Sequence, residues 1–285
     1  EGLVGSEMCI RDREGTMTDN KSFEGLDLSD IGISIDNFVA TVEIQRPPNN
    51  FFDTGLINDL ANIISQMDQS DEVRAVVLCS EGKHFCAGND FSNAARNTEK
   101  ADRDPGTGNP LYAAAVRLFE TKTPIVAAVQ GAAVGGGFGL AVMPDFRVVC
   151  PEARFTANFV KLGFHPGFGL THTLPRLIGQ QQAHKLFLTG RRISGEEAYA
   201  LGLADVITDK ENLRAKATEL AAEIAENAPL AVESVRSTMR KDLSLAVKQQ
   251  TDHENAEQYR LQQTEDHKEG VKAVAERRPG NFRGR

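Results

Sequence analysis

The chain has 285 residues, of which 25% are charged and 40% hydrophobic, and its formal net charge is −8. This length allows one large domain, or a domain with a helical appendage. The acidic balance disfavours nucleic acid as a partner, and no apolar run approaches the ~20 residues of a membrane span, so no membrane partner is expected. The four cysteines show neither CxxC pairs nor His/Cys ligand spacing. They predict free thiols, no metal site and a reducing, cytoplasmic compartment.

The first residues, "EGLVGSEMCIRDR", have neither the apolar stretch nor the arginine-rich amphipathic character of a targeting peptide. They resemble translated adapter sequence at the end of an open reading frame. We therefore expect the native chain to begin near Met17 and residues 1–30 to form a disordered or non-native extension.

The first regular element is predicted at "FVATVEIQ", where Phe38, Ala40, Val42 and Ile44 alternate with polar positions as in a strand. "RPPNN" ends it, because two prolines cannot continue a ladder. Asp53 or Thr54 is then expected to cap a helix. The apolar face of this helix comprises Leu56, Leu60, Ile63, Ile64 and Met67.

The middle of the chain alternates strands and helices. "RAVVLCS" predicts a buried strand, residues 92–109 a long mobile loop, and "PLYAAAVRLFE" a helix. "IVAAVQ" and "FRVVC" predict strands, with a helix between them that begins at the glycines near residue 135. Repeated strand–helix–strand units predict an α/β fold, although periodicity does not give the sheet topology.

After Leu170 the pattern is mostly helical. "SGEE" forms a capping box from Ser194 to Glu197. Further helices are predicted over 210–226, 230–241, 244–265 and 267–277, with little strand beyond "ADVI". We therefore divide the chain into an α/β core over 31–208 and a C-terminal helical region over 209–285, which should pack on the core or on a neighbouring subunit.

Two loops rich in small residues carry the most specific pattern. "HFCAGND" and "GAAVGGGFG" each follow a buried strand, where ligands of α/β sheets gather, and neither shields its backbone N–H groups. Two converging N–H donors make an oxyanion hole, and a helix starting at the second loop adds its dipole. The alternative is that both are only tight turns and close packing.

Four stretches resemble successive blocks of the crotonase (enoyl-CoA hydratase/isomerase) superfamily, in the same order. They are "HFCAGNDF", "PIVAAVQGAAVGGGFGLAVMPDFRVV", "LTGRRISGEEAYALGLADVI" and "TEDHKEGVKAVAERRPGNFRG". The resemblance runs from about Ile33 to the C-terminus. It implies a spiral of β-β-α units with a C-terminal helical trimerisation region, assembled as a homotrimer or a dimer of trimers.

The resemblance also implies an activity and its donors. Members bind acyl-CoA thioesters, need no cofactor beyond the coenzyme A of the substrate, and stabilise a thioester enolate with two backbone N–H groups. By position these donors are assigned to Ala87 and Gly136, so a side chain at Gly136 is expected to fill the space of the oxygen. Further substrate contacts are implied at Lys83, Phe85, Asn89, Asp90, Phe91, Gly135 and Phe282. Lys83 remains open as a plain surface lysine, and Phe282 as packing within its own chain.

The two glutamates that hydratases of this family use are missing. Their positions are Gly139 and, approximately, Phe159, and residues 153–164 contain no Asp or Glu at all. The chain therefore resembles a divergent member that does not hydrate enoyl-CoA. Gly139 is expected to leave room for a bulkier acyl group, and Phe159 to exclude the water that two carboxylates would hold.

His165 is the replacement candidate for proton transfer, because histidine titrates near neutrality. It is also readable as a turn residue before Pro166, and His84 and Asp145 are read as structural. The reaction stays open among decarboxylation, C–C or thioester hydrolysis and a divergent isomerisation. The alternative is a catalytically degenerate acyl-CoA-binding protein.

Overall fold

The computed structural model describes residues 28–89 and 108–285. Its strands are Ile31–Asp36 (β1), Val39–Ile44 (β2), Ala75–Ser80 (β3), Ile125–Val129 (β4), Ala132–Val134 (β5), Phe146–Val149 (β6), Arg154–Thr156 (β7), Arg192–Ser194 (β8) and Val206–Ile207 (β9). Its helices are Thr54–Met67 (α1), Pro110–Glu120 (α2), Gly136–Val142 (α3), Leu170–Ile178 (α4), Gln180–Thr189 (α5), Gly195–Ala200 (α6), Leu213–Ala225 (α7), Pro229–Met239 (α8), Leu243–Gln262 (α9) and Glu265–Ala275 (α10), with a 3-10 helix at Asn158–Leu162.

The strands form two sheets, and the chain passes repeatedly from one to the other. The larger sheet has the order β1-β2-β3-β4-β6-β9, parallel except for the β1–β2 pair. The smaller has the order β5-β7-β8. Thus β4 and β5 lie in different sheets and are followed by α3, and β6 and β7 repeat this before α4. The predicted α/β fold of β-β-α units is confirmed.

The large sheet is covered on both faces, which is why its central strands are apolar throughout. On one face α1 buries Leu56, Leu60 and Ile63, and its N-cap Asp53 accepts a hydrogen bond from the N–H of Leu56. On the other face α7 packs its small residues, including Ala217 and Ala221, against alternate strand residues. Because helices pack on both faces, the sheet holds the loops at its strand ends in fixed positions.

The beginning of the sheet differs from the prediction. Phe38 is not a strand residue: it has a left-handed backbone (φ 65°), it is 43% exposed, and Arg74 stacks over its ring. The turn at Asn37 and Phe38 joins β2 to β1, a strand that the sequence reading missed because Gly32, Ser34 and Asp36 weaken its pattern. The strands β5 and β8 were not predicted, because three residues are too few to show an alternating pattern.

The C-terminal helices pack on the core of their own chain. The helix α9 lies against α2 and α4, and α10 lies against the 3-10 helix. Among the described helices, none is both long and apolar enough to span a membrane.

Glu254 of α9 ties that helix to the start of α4. Its side chain is fully buried and accepts hydrogen bonds from the N–H of Gly169 (2.8 Å), the N–H of Thr171 (3.1 Å) and the hydroxyl of Thr171 (2.6 Å). Burial raises the pKa of Glu254 to about 7, and the hydrogen bonds oppose this rise. A carboxyl group with a raised pKa favours folding in its protonated form.

We expect the free energy of unfolding to fall as the pH rises from about 5 to 7.5, because Glu254 must then ionise while buried. Its contribution is about 2 kcal/mol over this interval. Denaturant titrations at several pH values should show that Glu254→Gln loses this part of the pH dependence. Parallel pH profiles for the two proteins would contradict it.

Candidate functional site

A cavity of about 470 Å³ lies between the two small-residue loops and the C-terminal helices. Both loops and the helices α9 and α10 contribute lining residues. The lining comprises Phe51, Phe52, Ala87, Gly88, Asn89, Asn109, Leu111, Tyr112, Val134, Gly135, Gly136, Asn158, Phe159, Leu162, Phe164, Gly167, Phe168, Gln258, Gln262, Val271, Val274 and Ala275.

The first loop approaches the cavity through Gly88. This residue has a left-handed backbone (φ 83°), and a Cβ on it would lie 2.6 Å from the carbonyl oxygen of Val134, so only glycine fits. The N–H of Phe52 donates to the Gly88 carbonyl (3.0 Å) in a parallel bridge between Phe52 and Asn89. In such a bridge the N–H of Asn89 points away from Phe52. In the described part of the chain no carbonyl accepts from it.

The second loop presents the amide of Gly136. After Gly135, which is left-handed at φ 56°, the helix α3 begins at Gly136 with no side-chain cap. The first amides of a helix have no intrahelical acceptor, and they carry the positive end of its dipole. The ideal Cβ position of Gly88 lies 3.5 Å from the nitrogen of Gly136. The two loops therefore meet beside the cavity.

The assignment of Ala87 as an oxyanion donor is wrong. Its N–H already donates to the carbonyl of Asn49 at 2.9 Å, so it is not available to a ligand. The expected effect of a side chain at Gly136 also changes, because a Cβ there would collide with the ring of Phe52. A substitution at Gly136 would displace this ring rather than simply fill the oxygen position.

The room expected at Gly139 does not exist. Gly139 is fully buried and is not part of the cavity lining, and a Cβ on it would lie 2.7 Å from the Cβ and Cδ1 atoms of Phe168. Phe168 thus occupies the volume that a side chain at 139 would need. It is 1% exposed and lines the cavity with Phe159, which is 7% exposed and stands near the position where the family resemblance places the second acid.

The proposed proton carrier His165 does not line the cavity. Its Nδ1 lies 2.8 Å from the Pro166 carbonyl oxygen, and its ring meets the ring of His253 edge-on at 5.8 Å. Desolvation lowers the pKa of His165, with a smaller lowering from His253. Since this ring contacts His253 of α9 and His165 is not a lining residue, the turn interpretation is the one that the contacts support.

Of the remaining predicted substrate contacts, some line the cavity and others do not. Phe85 is fully buried in the core and is not a lining residue, so direct substrate contact by its ring is ruled out. Lys83 is exposed, and Phe282 is 43% exposed near the C-terminus and also outside the lining. Gly135 and Asn89 do line the cavity. Asp90 and Phe91 lie outside the described residues.

The sequence analysis did not predict the hydrogen bonds between Tyr112 and Gln258 at the cavity. The hydroxyl of Tyr112 donates to Oε1 of Gln258 (2.7 Å), and Nε2 of Gln258 donates to the His165 carbonyl (3.0 Å). Tyr112 and Gln258 are 146 positions apart, so no local pattern could have paired them. Among the described lining residues, Tyr112 is the one with a titratable side chain.

Within residues 28–89 and 108–285, no group of three or more His, Cys, Asp or Glu side chains is arranged to hold a metal ion. The three described cysteines, Cys79, Cys86 and Cys150, are buried free thiols. Burial raises the pKa of Cys86, which belongs to the first loop, to about 12, so its thiol stays protonated at neutral pH and is not a nucleophile.

The two-sheet β-β-α core thus carries a largely apolar cavity at which two backbone amides, those of Asn89 and Gly136, donate to no described carbonyl. Backbone amides of this kind are able to donate to a carbonyl oxygen. The family model for enoyl-CoA hydratase/isomerase matches residues 34–285, and the chain belongs to this family.

Similar proteins and solved structures cover most of the chain. The chain is 31% identical over 257 residues to a probable enoyl-CoA hydratase of Bacillus subtilis, covering 89% of this chain and 98% of that protein. It is 34% identical to the (E)-benzylidenesuccinyl-CoA hydratase of Thauera aromatica, covering 89% and 99%. The crystal structure of an enoyl-CoA hydratase/isomerase from Pseudoalteromonas atlantica superposes with a TM-score of 0.79 at 28% identity, covering 89% of this chain and all of that one.

Proposed function

We propose that this protein binds an acyl-CoA thioester and stabilises its enolate through the backbone N–H groups of Asn89 and Gly136. The observation that carries the proposal is that Asn89 and Gly136 line one cavity and that neither of their N–H groups donates to a described carbonyl. The α3 dipole favours negative charge at the same place. Coenzyme A enters as part of the substrate, and no further cofactor is proposed.

Decarboxylation is the reaction that this lining favours. Among the described lining residues there is no carboxylate or imidazole to remove a proton, and Tyr112 is the one titratable group. Loss of CO₂ from an α-carboxyacyl thioester needs no base, because the electrons of the breaking C–C bond become the enolate. A proton from the Tyr112 hydroxyl or from water then reaches the α-carbon, which completes the reaction.

A mass-spectrometric screen of acyl-CoA thioesters tests this function. Malonyl-CoA and its substituted forms should lose CO₂, whereas saturated thioesters without an α-carboxylate should stay intact. Thioester binding with no turnover across the panel would select the alternative, a degenerate acyl-CoA-binding protein. Failure to bind any thioester would contradict both.

Two further contacts with the coenzyme A part of the substrate are proposed. Lys83 is exposed beside the first loop, where a flexible cation suits a phosphate group. We propose that Phe282, which is 43% exposed, contacts the CoA of a neighbouring subunit, as the family resemblance implies. The three free thiols support a reducing, cytoplasmic setting.

We also expect a homotrimer or a dimer of trimers. The helix α8 exposes Leu230, Val235 and Met239 at 79%, 64% and 73%, and Leu245 of α9 is 55% exposed. Large apolar side chains this exposed are stabilised by burial against another subunit. Light scattering at micromolar concentration should give the mass of three or six chains, and a monomer would contradict the expectation.

A further inference from the structure

Aromatic rings dominate the cavity beside the proposed oxygen position. Six of its lining residues are aromatic: Phe51, Phe52, Tyr112, Phe159, Phe164 and Phe168. No described lining residue carries a formal charge. The acyl part of a bound thioester would therefore be surrounded by flat, rigid and uncharged surfaces.

Three of these rings, Phe52, Phe159 and Phe168, form what we call the aromatic wall. Phe52 blocks the Cβ position of Gly136, and Cζ of Phe159 lies 3.7 Å from the Cβ position of Gly135. The rings of Phe52 and Phe168 are 5.6 Å apart at a tilt of 37°. An acyl group extending from a carbonyl held at Gly136 would meet these rings at once.

Phe168 is held in the wall by unusual local structure. Its backbone is left-handed (φ 63°), which is rare for a bulky residue, and its ring takes the space beside Gly139. The next residue, Gly169, is fixed by Glu254. Backbone strain of this kind persists where the surroundings over-determine it, and it concentrates at functional sites.

We propose that the acyl group carries an aryl ring that packs against the aromatic wall, with Phe168 as the specificity-determining residue. This inference rests on the proposed function. Aromatic pairs gain from edge-to-face and offset contacts beyond the area that they bury. A planar ring also loses less internal freedom in a rigid slot than an alkyl chain of equal volume.

Dissociation constants for three thioesters test the inference: acetyl-CoA, benzoyl-CoA and cyclohexanecarbonyl-CoA. The last two match in ring size and differ in aromaticity, and benzoyl-CoA has no α-hydrogen to lose. We expect benzoyl-CoA to bind about tenfold more tightly than cyclohexanecarbonyl-CoA. Phe168→Leu, which keeps a side chain on the strained backbone, should bring the two within about threefold.

Phe187→Leu provides the matched control, because Phe187 is a buried core ring outside the cavity lining. It should keep the preference for benzoyl-CoA. Equal affinities for the two ring thioesters, or a preference that survives Phe168→Leu, would overturn the inference while acetyl-CoA binding leaves the proposed function standing. No binding of any of the three would overturn both.

Discussion

Crotonyl-CoA should be hydrated by this protein at less than about 10⁻³ s⁻¹, four orders of magnitude below the median enzyme's ~10 s⁻¹. Hydration needs one group to activate water and one to protonate carbon, and each typically contributes 10²–10⁴-fold. The family resemblance places these two groups at Gly139 and approximately Phe159, and neither side chain can exchange a proton. Loss of the enoyl thioester absorbance measures the rate. A turnover number within about a decade of the median would contradict the prediction.

The packing at Gly139 allows a second experiment, in which a glutamate is introduced at this position. Gly139→Glu alone should destabilise the protein, because the new side chain meets Phe168 at its first carbon. Together with Phe168→Gly it gains the vacated volume, and glycine suits the left-handed backbone there. We expect the double variant to hydrate crotonyl-CoA about 10²-fold faster than Phe168→Gly alone. Equal rates would show that position 139 does not reach the bound thioester.

Asn89→Pro should lower kcat/KM for a substrate found in the screen by about 10²–10³-fold, because proline has no N–H and one oxyanion donor is lost. Asn89→Ala keeps the backbone N–H and is the control. Its kcat/KM should stay within about threefold of the unaltered protein. Circular dichroism and thioester affinity report whether either variant is folded. An equal loss in both variants would point to the Asn89 side chain and remove its amide from the mechanism.

The sequence predicted most of the features that depend on neighbouring residues. The apolar face of α1, the capping box at Ser194 and the start of α3 at the glycines are all present, because each depends on residues a few positions apart. The capping box shows both reciprocal hydrogen bonds, from the N–H of Glu197 to the Ser194 hydroxyl and from the N–H of Ser194 to the Glu197 carboxylate.

The site was predicted less well, because its details depend on contacts between distant segments. Ala87 was excluded as a donor by the carbonyl of Asn49, which is 38 positions away in the chain. Gly139 appeared to be empty space until Phe168 was seen to fill it. The sequence offered one hint, since "HPGFG" places a phenylalanine between two glycines in a turn, where a left-handed backbone is common.

The measurement that tests the central claim most directly is a crystal structure with acetyl-CoA bound. The account predicts the thioester oxygen at about 2.7–3.1 Å from both the Asn89 and the Gly136 backbone nitrogens, with the acyl methyl group directed at the aromatic wall. A thioester oxygen bound to side chains or water alone, with these two amides unengaged, would contradict it.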